Sequence, residues 1–150
     1  MNDKNIDTKK EKKKPIQPEN EFLEYLDSIK FEKHLKKLAE KLKNKKIIIY
    51  GAGAFFQSIK EHYDLSQLNI IAISDRKFAN HIEGETFWDY LVCAPDEIKK
   101  INPDYVLVSM RWFVSIIDQL YCETLAGTKI KIKPLIKKPV KELLKEIWNM

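Results

Sequence analysis

Gly51-Ala-Gly53, Asp75, Arg76 and Arg111 are the residues of this chain whose types and spacing could handle a ligand. Gly51 and Gly53 are two of only four glycines, and they end an apolar run, Lys46–Tyr50, of strand length. Glycine lets a backbone turn tightly and lets an anion approach peptide N–H groups with no Cβ in the way. The G-x-G spacing therefore suits a phosphate-cradling turn lined by Gly51, Ala52, Gly53 and Ala54. Phe56 stands where the third glycine of G-x-G-x-x-G would be. A bulky residue there sets the next helix differently on the sheet and weakens the match to a standard dinucleotide turn. The alternative is that the glycines only make the turn.

Asp75 lies 24 residues after Gly51 (75 minus 51), near the offset expected of an acid that accepts both hydroxyls of a ribose. A carboxylate at a strand end can instead start a turn or cap a short segment. Arg76 and Arg111 are the only arginines among 27 Lys and Arg residues, and each falls just past the expected carboxyl end of a strand. A guanidinium is a rigid fork matched to phosphate or carboxylate, which lysine does not mimic. Arg76 could equally pair with its neighbour Asp75.

Other reactive side chains form no catalytic constellation. No serine sits in a nucleophile elbow and no Ser/His/Asp arrangement is readable. No Y-x-x-x-K pairing is present to polarise a hydroxyl for hydride transfer. No catalytic residue is assigned. His34 and His62 fall on expected helices as surface or packing residues. His81 lies in a long loop with Trp88 and Asp89 and reads as solvated unless that loop folds over a ligand. Trp112 and Phe113 at a strand-to-helix turn read as sealing the core, or as a platform for a base. Cys93 and Cys122 sit in apolar contexts without a C-x-x-C or histidine cluster. They read as small buried hydrophobes in a reducing compartment, and no metal site is expected.

Several elements must position these residues. Residues 1–19 are polar and lysine-rich, with Pro15 and Pro18, and read as a disordered basic tail. Residues 20–44 carry a helical stripe of Phe22, Leu26, Ile29, Phe31, Leu35, Leu38 and Leu42, as one helix or two with a break near Asp27–Ser28. From residue 45 to 150, strand and helix alternate. Lys46–Tyr50 reads as a first strand buried on both faces, followed by a helix from Phe55 to Tyr63. Asn69–Ser74 is a second strand, and 76–90 is irregular. Leu91–Cys93 is a very short third strand, and Pro95 opens a short helix to Ile101. Tyr105–Ser109 is a fourth strand. A helix from Phe113 to Glu123 turns Val114, Ile117, Leu120 and Tyr121 inward. Ile130–Ile136 is a fifth strand interrupted by Pro134. Val140, Leu143, Leu144, Ile147 and Trp148 mark a final amphipathic helix.

This alternation predicts an α/β fold: a Rossmann-like parallel sheet of about five strands flanked by helices, with an extra N-terminal helix. In the order 3-2-1-4-5, a crevice opens beyond the carboxyl ends of strands one and four. Gly51–Ala54 would line one side and Ser109, Met110 and Arg111 the other. Six lysines against three acids within residues 1–14 leave the remaining chain at +2 (5 minus 3). A general nucleic-acid face is therefore not indicated. No apolar core at the N-terminus resembles a signal peptide, and no stretch nears the ~20 residues that span a bilayer. A cytoplasmic protein is expected, and its Lys, Ile and Asn usage looks bacterial.

Lys-Lys-Ile-Ile-Ile-Tyr-Gly-Ala-Gly, Ile-Ala-Ile-Ser-Asp-Arg, a loop glycine, Ala-Pro-Asp-Glu-Ile and Pro-Asp-Tyr-Val-Leu-Val-Ser follow one another along residues 45–137. This arrangement resembles the Rossmann-like domain of bacterial surface-polysaccharide proteins. Such domains precede the catalytic part of nucleotide-sugar dehydratases and of sugar acyltransferases, and accompany some sugar-modifying methyltransferases. The resemblance implies a binding module for a nucleotide, a nucleotide-sugar or an NAD(P)-like dinucleotide in glycan biosynthesis. It implies contacts from Gly51, Ala52, Gly53, Ala54 and Asp75, with Ser109 and Met110 as the facing turn. The usual Asp-Asp-Asn after strand two is here Asp75-Arg76-Lys77, and no catalytic module of that kind is expected within these residues. Two other readings stand beside it. One is an interaction domain with a vestigial site, meeting a second copy or a partner enzyme through 20–44. The other is an S-adenosylmethionine-dependent methyltransferase, which shares the glycine turn and the acid after strand two.

Overall fold

The computed structural model describes residues 18–150. The basic tail expected over residues 1–19 lies outside them except for its last two positions, which open a helix. Two helices lead in: α1 (Pro18–Ser28) and α2 (Phe31–Lys41). The break falls at Lys30, which is left-handed (φ 54, ψ 48), just beyond the Asp27–Ser28 position expected. Ser28 Oγ donates to the Tyr25 carbonyl at 2.6 Å and helps end the first helix. Both apolar stripes face the core. Leu26 and Phe31 are fully buried, each contributing about 1.5–3 kcal/mol relative to exposure.

The remaining elements are β1 (Ile47–Tyr50), α3 (Ala54–His62), β2 (Ile70–Ser74), β3 (Thr86–Phe87), β4 (Tyr90–Cys93), α4 (Ile98–Ile101), β5 (Tyr105–Val108), α5 (Val114–Gln119), β6 (Lys131–Pro134) and α6 (Val140–Trp148). Six strands form one sheet in the order β3-β4-β2-β1-β5-β6. Every pairing is parallel except β3 with β4. The fold is α/β, a mostly parallel sheet flanked by helices. β1 and β5 are buried throughout and each is flanked by a strand on both sides, as their unbroken apolar runs require. Pro134 sits on the edge strand β6, where a missing N–H costs no ladder bond.

The sixth strand is a correction to the expected five. The segment 76–90 is irregular over 79–85 but not throughout: Phe87 pairs with Tyr90 across a two-residue hairpin turn. Trp88 (φ 50) and Asp89 (φ 68) are both left-handed there, the backbone a tight hairpin needs. Trp-Asp lacks the Asn-Gly signature of such turns. Ring contacts hold it instead, Trp88 lying 4.3 Å from Phe87 and 5.7 Å from Phe56.

A second correction concerns the helix after β5. α5 stops at Gln119, and Leu120–Thr124 forms a wider π-helical turn. The extra residue shifts the helical phase, so Leu120 stays buried while Tyr121 is 72% exposed, not inward.

Candidate functional site

The chain leaves β1 for α3, β2 and β4 on one side of the sheet, then crosses to β5 and β6 on the other. The carboxyl ends of β1 and β5 are therefore neighbours that part in opposite directions. Such a reversal opens a crevice in sheets of this kind.

Gly51 begins the β1 turn with φ +115, a conformation that side chains other than glycine's rarely adopt. Its N–H donates to the Ser74 carbonyl at 2.8 Å. The buried Ser109 donates its hydroxyl to the Gly51 carbonyl at 2.6 Å. A Cβ on Gly51 would lie 2.9 Å from Ser109 Oγ and 3.1 Å from Met110 Cε. Gly51 is thus required by the protein itself, and Ser109 and Met110 press on it from the β5 turn. Gly53 differs. It is exposed, its backbone is extended (φ −99, ψ −168) and a Cβ there would meet nothing within 4 Å. It heads α3 without any side-chain cap. The first amides of a helix have no partner within it, so the exposed Gly53–Ala54 corner presents donors to solvent.

Asp75 caps the short turn after β2 rather than α3. One carboxylate oxygen accepts Ala52 N–H at 2.8 Å and the other accepts Lys77 N–H at 3.0 Å. Lys77 Nζ returns a 2.6 Å bond to the Ala52 carbonyl. The acid after β2 and the glycine turn after β1 are thereby clamped together. Each carboxylate oxygen keeps lone-pair capacity beyond these bonds. Among the described residues Arg76 makes no ion pair with Asp75. Its Nη2 donates to Gln119 Oε1 at 2.6 Å, linking the segment after β2 to the helix after β5 on the far side of β1.

Arg111 takes a different course. Its guanidinium carbon lies 3.8 Å from the centre of the Tyr25 ring and 5.0 Å from that of Trp112, close enough for cation–π attraction. Its Nε is buried without a hydrogen-bond partner among the described residues. Tyr25 also donates its hydroxyl to Glu142 at 3.0 Å. Burial first, and then the Glu142 carboxylate, push the Tyr25 hydroxyl up to about 12 against the opposing pull of Arg111. Arg111 thus joins the β5 turn to α1, and Tyr25 joins α1 to α6. α1 also touches α3, with Phe22 set edge-to-face on Phe55 at 5.3 Å.

Of the expected site residues, the structure brings together Gly51, Ala52, Asp75, Ser109 and Met110. Gly53 and Ala54 form the open corner beside them. Arg76 spans towards α5, and Arg111 is drawn to Tyr25.

His81 departs from expectation. Its side chain is only 13% exposed. Nε2 meets Glu97, and Nδ1 meets the Ile82 carbonyl at 3.0 Å. It lines a cavity of about 840 Å3 beside β2 and β4, which Cys93, Glu97 and Asp96 also line. Burial pushes the Cys93 thiol up to about 11, the Ser74 hydroxyl partly opposing, which favours the protonated thiol. Cys122 is exposed, not buried. Phe113 is buried as a core seal, whereas Trp112 is 60% exposed.

One buried pair has no sequence signal. Lys138 and Glu146 form an ion pair with side chains 1% and 8% exposed. Glu146 also accepts Val114 N–H at 2.8 Å. The pair fastens α6 to the start of α5. Lysine and glutamate eight residues apart in a charged segment are indistinguishable from surface residues until the fold is known.

Among the described residues no group of three or more His, Cys, Asp or Glu side chains could hold a metal ion. None of their helices is long and apolar enough to cross a membrane. Residues 43–131 match the profile of the family described as C2185-like, N-terminal, more than half of the chain. No curated protein and no solved structure matches it.

Proposed function

We propose that this chain, which belongs to the C2185-like, N-terminal family, is a Rossmann-like binding module for a nucleotide-type ligand, a nucleotide-sugar or an NAD(P)-like dinucleotide. The observation that carries this reading is the contrast between the two glycines. Gly51 is held by contacts within the protein, whereas Gly53 is spared a side chain where no protein atom needs the room. An anion seated on the uncapped start of α3 would use that room. Asp75 already orients the Ala52 amide and has lone pairs left for ribose hydroxyls. Arg76, exposed and anchored on Gln119, is the cation best placed to meet phosphate. Arg111 contributes its remaining N–H edges from its stack on Tyr25. The module would serve glycan biosynthesis in the cytoplasm, with chemistry supplied by a partner.

Thermal-shift measurements with nucleotides, UDP-sugars, NAD(P) and S-adenosylmethionine test this. Stabilisation by a nucleotide-sugar or dinucleotide at millimolar concentration is expected. No stabilisation by any of them rejects the reading. Stabilisation by S-adenosylmethionine alone transfers the site to a methyltransferase.

A second reading, an interaction domain with a vestigial site, is favoured by α6. Val140, Leu144 and Trp148 are 72%, 61% and 89% exposed on that helix. The stripes of 20–44, the expected meeting surface, are packed on the core. Sedimentation of the full chain and of a Trp148→Ser variant separates the readings. Self-association that the substitution abolishes, together with nucleotide indifference, favours interaction.

A further inference from the structure

A groove of about 670 Å3 lies between α2, the end of β6 and the start of α6. Its floor is apolar, formed by Leu38, Phe113 and Ile136, and its rim carries Lys37, Lys41, Lys133 and Lys137. We propose that this groove is a second binding site, separate from the Gly53 corner, for a small amphiphilic anion: an acyl or aryl body bearing a carboxylate or phosphate.

Charge complementarity carries the assignment. No Asp or Glu lines the groove. Among the described residues none of the four rim lysines forms an ion pair with a carboxylate. The neighbouring Lys138 is already neutralised by Glu146. Lys133 stands beside Lys41. That contact, partial burial and the charges of Lys41 and Lys131 lower its pKa below the ordinary lysine value. Like charges gathered without a counter-ion destabilise the free protein and favour whatever anion relieves them.

Shape selects among anions. The volume falls within the range of roughly 300–1,000 Å3 typical of small-molecule sites. The floor residues Leu38, Phe113 and Ile136 are recessed, each no more than 5% exposed. A flat bilayer surface would meet the exposed lysines without reaching that floor. A single apolar tail entering from the rim reaches it, with its head group left among the ammonium groups.

The test is an amide NMR titration of the full chain with octanoate and, separately, with 1-octanol. Octanoate should shift amides of 34–41 and 133–143 and bind at least about tenfold more tightly than octanol, a difference of about 1.4 kcal/mol. That ratio should fall towards one in 0.5 M salt and in a Lys41→Gln/Lys133→Gln variant. A Lys145→Gln variant, altered outside the groove, should keep it. Equal affinity for acid and alcohol would overturn the proposal, as would shifts confined to Leu144, Ile147 and Trp148. Binding of an acidic helical peptide without any response to octanoate would assign the groove to a protein partner and also overturn it. None of these outcomes depends on the Gly53 corner binding nucleotide.

Discussion

Ser109 Oγ donates to the carbonyl of Gly51 at 2.6 Å and lies 2.9 Å from the position a Gly51 Cβ would take. The same atom thus holds the β1 turn and forbids a side chain there. Gly51→Ala should cost at least about 2 kcal/mol, from strain at positive φ and from the clash. Ser109→Ala alone should cost about 1 kcal/mol for the lost bond. In the double variant the methyl replaces the crowded hydroxyl, so the two losses should sum to less than their separate values. Urea unfolding of the three variants measures this. Full additivity would mean that the two residues do not act on one another.

Gly53 behaves in the opposite way. With an extended backbone and no atom within 4 Å of a Cβ, Gly53→Ala should leave stability unchanged or raise it by about 0.4–1 kcal/mol through the unfolded chain. Gly53→Val should weaken any nucleotide that stabilises the parent protein, while the fold persists. A variant that binds such a ligand as tightly as the parent would leave the glycine with only a turn-making role.

The Lys138–Glu146 pair should matter to stability because neither side chain reaches water freely. Lys138→Met leaves a buried carboxylate whose partner is gone, and should cost about 3 kcal/mol. Adding Glu146→Gln removes the stranded charge while keeping an acceptor for Val114 N–H, and should recover part of that loss. Urea midpoints decide it. A double variant less stable than Lys138→Met would show that the carboxylate matters more for the Val114 bond than for the lysine.

The His81–Glu97 contact predicts a pH window. The Glu97 bond first, and then the Ile82 carbonyl, raise the His81 pKa above 6.5. Its contribution is complete below 6.5 and is lost as pH rises through the higher folded value. The Ala94 N–H first, and then His81, lower the Glu97 pKa below 4.5. Its contribution is complete above 4.5 and is lost as pH falls through the folded value. The segment joining β2 to β4 should therefore be most protected from hydrogen exchange between about pH 4.5 and 6.5. His81→Gln should remove the upper limb. An NMR titration placing His81 below 6.5 would refute the assignment.

Solvent-facing apolar residues of α6 should contribute little to folding. Leu144→Ser and Trp148→Ser should each change stability by less than about 0.5 kcal/mol, in contrast to the buried Leu26 or Phe31. A large loss on unfolding either variant would mean that this face is covered in solution.

The consecutive isoleucines of β1, the alternation of strands with helices and the two stripes of 20–44 announced a parallel α/β core from the chain alone. Burial on both faces of a strand and one face of a helix leaves a local signature in residue order. The position of the β1 turn against the acid after β2 was legible for the same reason, since both sit at strand ends. The β3–β4 hairpin was not, because its left-handed Trp88 and Asp89 are stabilised by ring contacts with Phe56 and Phe87 and not by turn-forming residues. Nor was the direction of Arg111, which the placing of Tyr25 on α1 decided. The lysine-rimmed groove and the Lys138–Glu146 pair also arise only when segments distant in the chain are folded together. Charge and burial there are properties of neighbours in space, and no spacing along the chain encodes which neighbours those will be.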